Sequence, residues 1–236
     1  EADVKKNASP GHDTPGTPQD PVLIRQTLYL EKIPIQQVRF FNGSRIQVPE
    51  TGKIYITRDQ GSMARSLQQA FEKQGHPTGL LNPVSETVPD LPDMAGLVIV
   101  QDQMSDPDRA VAFLNGGYLQ AAGRHKGAFL STVTFSGGGF GISPFSFDTL
   151  PEYGGLAGLA KTAALEWEEV LCHALDLPAD PETCHRCADA AAALMMTNGP
   201  VEMGLDREYC RIPRLEETPV KPGRLVPDPR DVLVIT

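Results

Sequence analysis

The clearest pattern in the chain is an alternation of short apolar runs with segments that are apolar on one side only. The runs are typical of strands covered on both faces, and the intervening segments are typical of amphipathic helices. Met63, Leu67, Ala70 and Phe71, for example, share one face of a helix. The pattern predicts strands at 53–57, 78–81, 96–100, 128–134, 170–175 and 201–205, and helices at 62–75, 106–119, 156–167 and 181–196. Strands that alternate with helices in this way predict a Rossmann-like parallel sheet with right-handed crossovers.

The chain upstream of this alternation shows a different period. Apolar residues recur at strand spacing between Leu28 and Phe40, interrupted by Pro34, and Asn42-Gly43 is a turn signal. This predicts an N-terminal β-hairpin or meander.

Local signals also place the ends of the helices. Ser62 is expected to cap the helix that contains Met63, and Gly75 to end it. Asp106 or Asp108 is expected to cap the following helix.

Composition and charge narrow the functional classes. The chain has 236 residues, of which 40% are hydrophobic, so it can fill a core. A net charge of −9 disfavours nucleic acid and anionic membranes as partners, and no apolar run is long enough to span a bilayer. Four cysteines in a chain of this size do not suggest a disulfide framework. The polar start lacks a signal peptide, so we expect a cytoplasmic, reducing location.

The loop that should bind a dinucleotide lacks the residues for it. In a Rossmann domain, glycines after the first strand let the backbone approach the diphosphate, which then lies at a helix N-terminus. Here the strand that ends at Thr57 is followed by Arg58-Asp59-Gln60-Gly61, with a single glycine and an anionic side chain. The sequence therefore predicts no cofactor-binding residue in this chain.

The catalytic pair of a short-chain reductase is also missing. Such enzymes use a tyrosine as the acid, with a lysine four residues later that lowers its pKa. The residues four positions after Tyr29, Tyr55, Tyr118, Tyr153 and Tyr209 are Ile33, Asp59, Ala122, Ala157 and Pro213. We predict no catalytic residue.

Several other residues invite a functional interpretation. Cys184-His185-Arg186-Cys187 suggests zinc or redox chemistry, but only Cys172-His173 offers further ligands, so packing is the favoured interpretation and no metal site is predicted. The glycine-rich loop 137–141 suggests a phosphate cradle, but a tight βα turn with close backbone packing is the favoured interpretation. Trp167 is expected to anchor the core, and Lys161 to lie at a solvated helix surface.

Four segments, which form three elements, resemble a known family. Gly155–Trp167 (GLAGLAKTAALEW) resembles the G-G-L-x-G-L-x-K-T-x-x-x-E-W segment of the structural, non-catalytic subdomain of ketoreductases from type I polyketide synthases and polyunsaturated-fatty-acid synthases. Phe135–Gly141 (FSGGGFG) and the pair Glu202–Asp206 (EMGLD) with Arg211–Leu215 (RIPRL) resemble two further elements of that subdomain.

The resemblance implies a truncated Rossmann-like half that packs on an NADPH-binding catalytic half in the same polypeptide. The parent would reduce β-ketones bound to acyl carrier protein domains, which are further expected partners. On this view, residues 1–22 are a Pro/Gly-rich linker, 23–227 the structural subdomain and 228–236 the first strand of the catalytic subdomain. Two alternatives remain open: a free-standing α/β enzyme that uses the 137–141 loop, and a small-molecule binding module with a degenerate Rossmann cleft.

Overall fold

A computed structural model describes most of the interior of the chain. The described residues are 25–38, 52–82, 91, 93–101, 117–142, 154–178 and 180–218. The chain divides into two compact units, residues 28–215 and residues 1–27 together with 216–236. In the second unit the description is limited to 25–27 and 216–218, where the hydroxyl oxygens of Thr27 and Thr218 lie 3.1 Å apart.

Strands and helices alternate along the described residues. The strands are β1 (Arg25–Pro34), β2 (Lys53–Thr57), β3 (Thr78–Leu81), β4 (Met94–Val100), β5 (Phe129–Thr134), β6 (Leu171–Asp176), β7 (Glu202–Leu205) and β8 (Tyr209–Thr218). The helices are α1 (Ile35–Val38), α2 (Met63–Lys73), α3 (Tyr118–Arg124), α4 (Gly154–Glu166) and α5 (Pro181–Met195).

The strands form one sheet in the order β1-β8-β7-β6-β5-β4-β2-β3. The neighbours from β3 through β2, β4, β5 and β6 to β7 are parallel, and β8 runs antiparallel to β7. The strand order reverses between β2 and β4, because the chain passes from β2 outward to β3 and then returns to the other side of β2. This is the doubly wound arrangement of Rossmann-like domains, and it confirms the predicted fold class.

Helices cover both faces of the sheet. On one face, α2 and α5 pack on the sheet in a cluster that includes Phe71 of α2, Phe129 and Leu175. On the other, α3 and α4 pack on a cluster that includes Leu97 and Leu130. Since Phe129 and Leu130 are consecutive, their side chains point to opposite faces, and the sheet lies between two apolar layers.

The positions of β2 to β7 agree with the sequence prediction to within two residues, but other elements differ from it. No strand was predicted at β8. The first strand, β1, lies beside β8 in the sheet. The turn Asn42-Gly43 and the second strand of the predicted hairpin or meander fall outside the described residues. The predicted helix at 106–119 is described only from residue 117, and α3 begins at Tyr118. Asp106, Asp108 and the expected boundaries at 22–23 and 227–228 also lie outside the described residues.

Candidate functional site

The carboxyl edge of the parallel strands is where a domain of this fold binds its ligands. Open α/β sheets bind them in the crevice where the strand order reverses, which here lies beyond the ends of β2 and β4. The chemistry of this chain is therefore decided by the residues that follow β2, β4, β5 and β6.

A threonine hydroxyl joins the two strands at the reversal point. The Oγ1 atom of Thr57 accepts a hydrogen bond from the backbone N–H of Val100 at 2.8 Å and lies 3.4 Å from the carbonyl oxygen of the same residue. One strand further along, Gln101 Oε1 accepts from the backbone N–H of Phe135 at 3.2 Å. Side chains of the chain itself therefore connect successive strands along this edge.

The N-terminus of α2 already holds an anion from the same chain. Asp59 accepts hydrogen bonds from the backbone N–H of Met63 at 3.1 Å and of Ala64 at 3.0 Å, one with each carboxylate oxygen. Free N–H groups at such a position bind phosphate groups in dinucleotide-binding domains. Two of the first-turn amides are thus engaged by a carboxylate before any ligand arrives.

The expected cap, Ser62, does something else. It precedes α2 but makes no side-chain capping bond, and its hydroxyl lies 2.5 Å from His185 Nε2. The other ring nitrogen of His185 contacts the hydroxyl of Ser66, so this histidine links α5 to the first turn of α2. Gly75 ends the helix as predicted, with a positive φ of 89°.

The glycine-rich loop after β5 folds around a buried carboxylate. Asp176, at the end of β6, accepts hydrogen bonds from the backbone N–H groups of Ser136 at 2.6 Å, Gly139 at 2.7 Å and Phe140 at 2.8 Å. The hydroxyl of Thr134 adds a fourth at 2.9 Å. Burial raises the pKa of this carboxyl, and the four hydrogen bonds oppose that rise. The anion that these amides bind is therefore the carboxylate of Asp176, a residue of the same chain.

The carbonyl side of the same loop is occupied as well. Arg211 Nη1 donates to the carbonyl oxygen of Gly138 at 3.0 Å, and its Nη2 pairs with Asp206. The close contact between β7 and this loop requires glycine at position 204, because a Cβ atom there would lie 2.3 Å from the carbonyl oxygen of Gly138. The two weaker motifs found in the sequence, 135–141 and 202–215, therefore meet in one packed cluster.

Two of the tyrosines are poor candidates for proton donors. Burial raises the pKa of Tyr55, with a further contribution from Asp93, and burial raises the pKa of Tyr118. A catalytic tyrosine needs its pKa lowered toward neutrality, so the shift has the wrong direction in both. Tyr153, which precedes α4, lies outside the described residues.

Two residues of the Cys184-His185-Arg186-Cys187 motif, His185 and Cys187, have different surroundings. His185 is exposed and bonded to α2, whereas Cys187 is buried and its thiol lies 3.4 Å from the carbonyl oxygen of Asp206. Burial raises the pKa of Cys172 and Cys187 to about 11 and of Cys210 to about 12, which disfavours the thiolate that binds metals or attacks disulfides. Within the described ranges, no three His, Cys, Asp or Glu side chains cluster as a metal site would require.

A fully buried histidine lies inside the sheet. His173 in β6 is opposite Ser131 in β5, and both side chains are completely buried. Neither ring nitrogen has a hydrogen-bond partner of ordinary geometry, although backbone groups of Met195 and Thr197 lie near enough to raise its pKa slightly. Burial is the larger effect and lowers the pKa of His173 to about 4, so the ring is neutral at physiological pH.

The remaining residues singled out in the sequence have structural surroundings. Lys161 Nζ lies 3.1 Å from Glu202 Oε1, which ties α4 to β7, and half of its side chain stays exposed. The indole of Trp167 packs at the edge of the cluster that includes Leu97 and Leu130, close against Gly123 of α3.

Sequence inspection missed the residues that bond to distant segments along this edge. Thr57, Asp176 and Arg211 act on groups 36 to 74 positions away in the chain. Asp176 carried one usable signal, because an acidic residue that ends an apolar strand needs a nearby donor, and a glycine-rich loop offers several.

Among the described helices, none is long and apolar enough to cross a membrane.

Comparison with known proteins gives matches only at the level of structure. No protein-family model and no curated protein matches the sequence. Among solved structures, the chain is similar to the first ketoreductase of the tylosin PKS, with a TM-score of 0.54 and 15% identity over 83% of this chain and 41% of that one. It is also similar to A-type ketoreductases from a modular polyketide synthase, with a TM-score of 0.52 and 12% identity over 83% and 43% of the two chains.

A third similar structure comes from a multidomain assembly. It contains the adenylation, ketoreductase and pseudo-Asub domains of a keto acid-selecting NRPS module, and matches with a TM-score of 0.57 and 14% identity over 82% of this chain and 18% of that one. The chain thus spans less than half the length of the ketoreductase structures that it matches. It has the Rossmann-like α/β fold of ketoreductase domains from polyketide synthases and an NRPS module, at low sequence identity.

Proposed function

We propose that this chain is the non-catalytic scaffold half of a β-ketoacyl reductase in a polyketide or fatty-acid synthase. In this role it packs on an NADPH-binding catalytic half of the same polypeptide, which reduces β-ketones carried by acyl carrier protein domains. The fold is that of ketoreductase domains, and the chain corresponds to less than half of each matched ketoreductase. A scaffold that covers part of a larger reductase accounts for both.

The observation that carries the proposal is the position of the Asp59 carboxylate. It engages two first-turn amides of α2, where a dinucleotide-binding domain would hold its diphosphate. A diphosphate placed there would have to displace this carboxylate and would be repelled by it. The chain is therefore expected to hold no NADPH of its own, and the cofactor belongs to the other half.

The rest of the carboxyl edge supports a scaffold over the two alternatives. A free-standing enzyme using the 137–141 loop would need its inward amides, but Asp176 already accepts from those of Gly139 and Phe140. A binding module would offer free polar groups to a ligand at the strand reversal, but the hydroxyl of Thr57, at the end of β2, is already bonded to Val100.

The test is isothermal titration calorimetry, in which NADPH is titrated into the purified chain. We expect no binding at cofactor concentrations up to the millimolar range, and a dissociation constant in the micromolar range would overturn the proposal. A second arm measures reduction of a β-ketoacyl thioester by the catalytic half of the parent, alone and with this chain. The chain should raise the thermal midpoint and the activity of the catalytic half without contributing a turnover of its own.

A further inference from the structure

Helix α4 carries an apolar side chain where a surface helix normally carries a charged one. Its inner side packs on the sheet through Ala157, Ala160 and Ala163. The opposite side consists of Gly155, Gly158, Thr162 and Leu165, which recur at three- and four-residue intervals and are all exposed; we call this set the outward face of α4. Leu165 is 87% exposed, the most exposed large hydrophobic residue within the described part of the chain.

Burial within the domain does not account for Leu165, because its side chain stays in contact with water. A helix packed on one side of a sheet normally has polar residues on its other side, and a helix that is apolar all round is normally covered all round. The apolar centre at Leu165 is bordered by Lys161 and Glu166, both exposed. An apolar centre with a polar rim is the usual layout of a protein–protein interface.

The two glycines of the outward face also indicate contact with another molecule. Glycine inside a helix is less stable than alanine, because the free chain has more conformational freedom to lose. A Cβ atom at Gly155 or Gly158 would have no other atom within 4 Å, so the packing around α4 does not require glycine. Close approach by another molecule would require it.

We propose that the outward face of α4 is the surface on which the catalytic half docks; this inference rests on the function proposed above. Each matched ketoreductase has more than half of its length outside the region that this chain covers, so a second folded segment of at least similar size exists in those proteins. It contacts α4 closely at Gly155 and Gly158, and buries Leu165 at the centre of the contact.

The docking surface is tested by measuring the affinity of this chain for the remaining segment of its parent polypeptide. Leu165→Glu should raise the dissociation constant about tenfold or more, because it places a charge in the centre of the apolar contact. Gln69→Glu is the matched control, since Gln69 is exposed on α2, which covers the opposite face of the sheet. It should change the dissociation constant by less than about twofold.

The variants Gly155→Ala and Gly158→Ala test whether the two glycines are needed for docking or are only tolerated within α4. Both should raise the thermal midpoint of the isolated chain and yet weaken docking, because the added methyl groups fill the space that the partner needs. If the wild-type chain docks but Leu165→Glu and both alanine variants leave the dissociation constant unchanged, the surface is wrong and the proposed function stands. If the wild-type chain itself does not bind, the proposed function fails, and the docking surface with it.

Discussion

The carboxylate of Asp59 lies 3.0 Å from the backbone nitrogen of Ala64, in the first turn of the helix that follows the first parallel strand. In a dinucleotide-binding domain that turn meets a diphosphate. Here the same turn is closed by an acidic side chain five residues earlier in the sequence. A position that binds a ligand elsewhere in this fold stabilises the helix in this chain.

The cap at Asp59 should be measurable as stability. Asp59→Ala removes the acceptor for Met63 and Ala64 and should lower the free energy of unfolding by about 1 kcal/mol. Ser62→Ala, the control, should cost less, because Ser62 makes no side-chain capping bond. Urea denaturation of both variants gives the comparison. A loss for Asp59→Ala no larger than that for Ser62→Ala would contradict the capping role assigned to Asp59.

The carboxylate of Asp176 should be far harder to replace. Asp176→Asn keeps the shape but turns an amide NH₂ toward backbone donors, so at least one buried N–H loses its acceptor. The expected loss is about 3 kcal/mol in the free energy of unfolding. Asp189→Asn, at an exposed ion pair with Lys73, should cost less than about 0.5 kcal/mol. Equal losses in guanidinium denaturation would contradict the role assigned to Asp176.

The close contact between β7 and the glycine-rich loop gives a steric prediction. Gly204→Ala would place a methyl group 2.3 Å from the carbonyl oxygen of Gly138, in the loop that Asp176 holds through the amides of Gly139 and Phe140. We expect a loss of about 2 kcal/mol or more. Gly154→Ala is the matched change in open space and should be neutral or stabilising. A thermal midpoint for Gly204→Ala equal to that of the wild type would disprove the contact.

The sequence predicted the elements that depend on local pattern and failed where distant residues decide. Strands β2 and β3 were predicted at their observed bounds because each is a short apolar run between turn signals. Strand β8 was missed because only Cys210 and Ile212 are buried in it, and Pro213 interrupts the pattern.

The candidate site shows the same division. The loss of the dinucleotide fingerprint was visible locally, as a single glycine and an aspartate after Thr57. The residue that caps α2 could not be identified locally. Ser62 and Asp59 are both acceptable caps, and the contact of Ser62 with His185 depends on α5. Likewise, the partner of the glycine-rich loop is Asp176, more than thirty residues later, and no spacing rule connects the two.

The buried histidine in β6 makes stability depend on pH in a defined window. The pKa of His173 is lowered to about 4 in the folded chain, whereas an unfolded histidine has a pKa of about 6.5. Between these values the unfolded state binds a proton that the folded state does not, so stability is full above pH 6.5 and falls as the pH drops toward 4, by roughly 3 kcal/mol in total. His173→Gln removes this titration, and carboxylates that protonate in the same range affect both proteins alike. Urea unfolding at half-unit steps from pH 7.5 to 4 should therefore give a shallower decline for the variant, and parallel curves would show that His173 titrates normally in the folded chain.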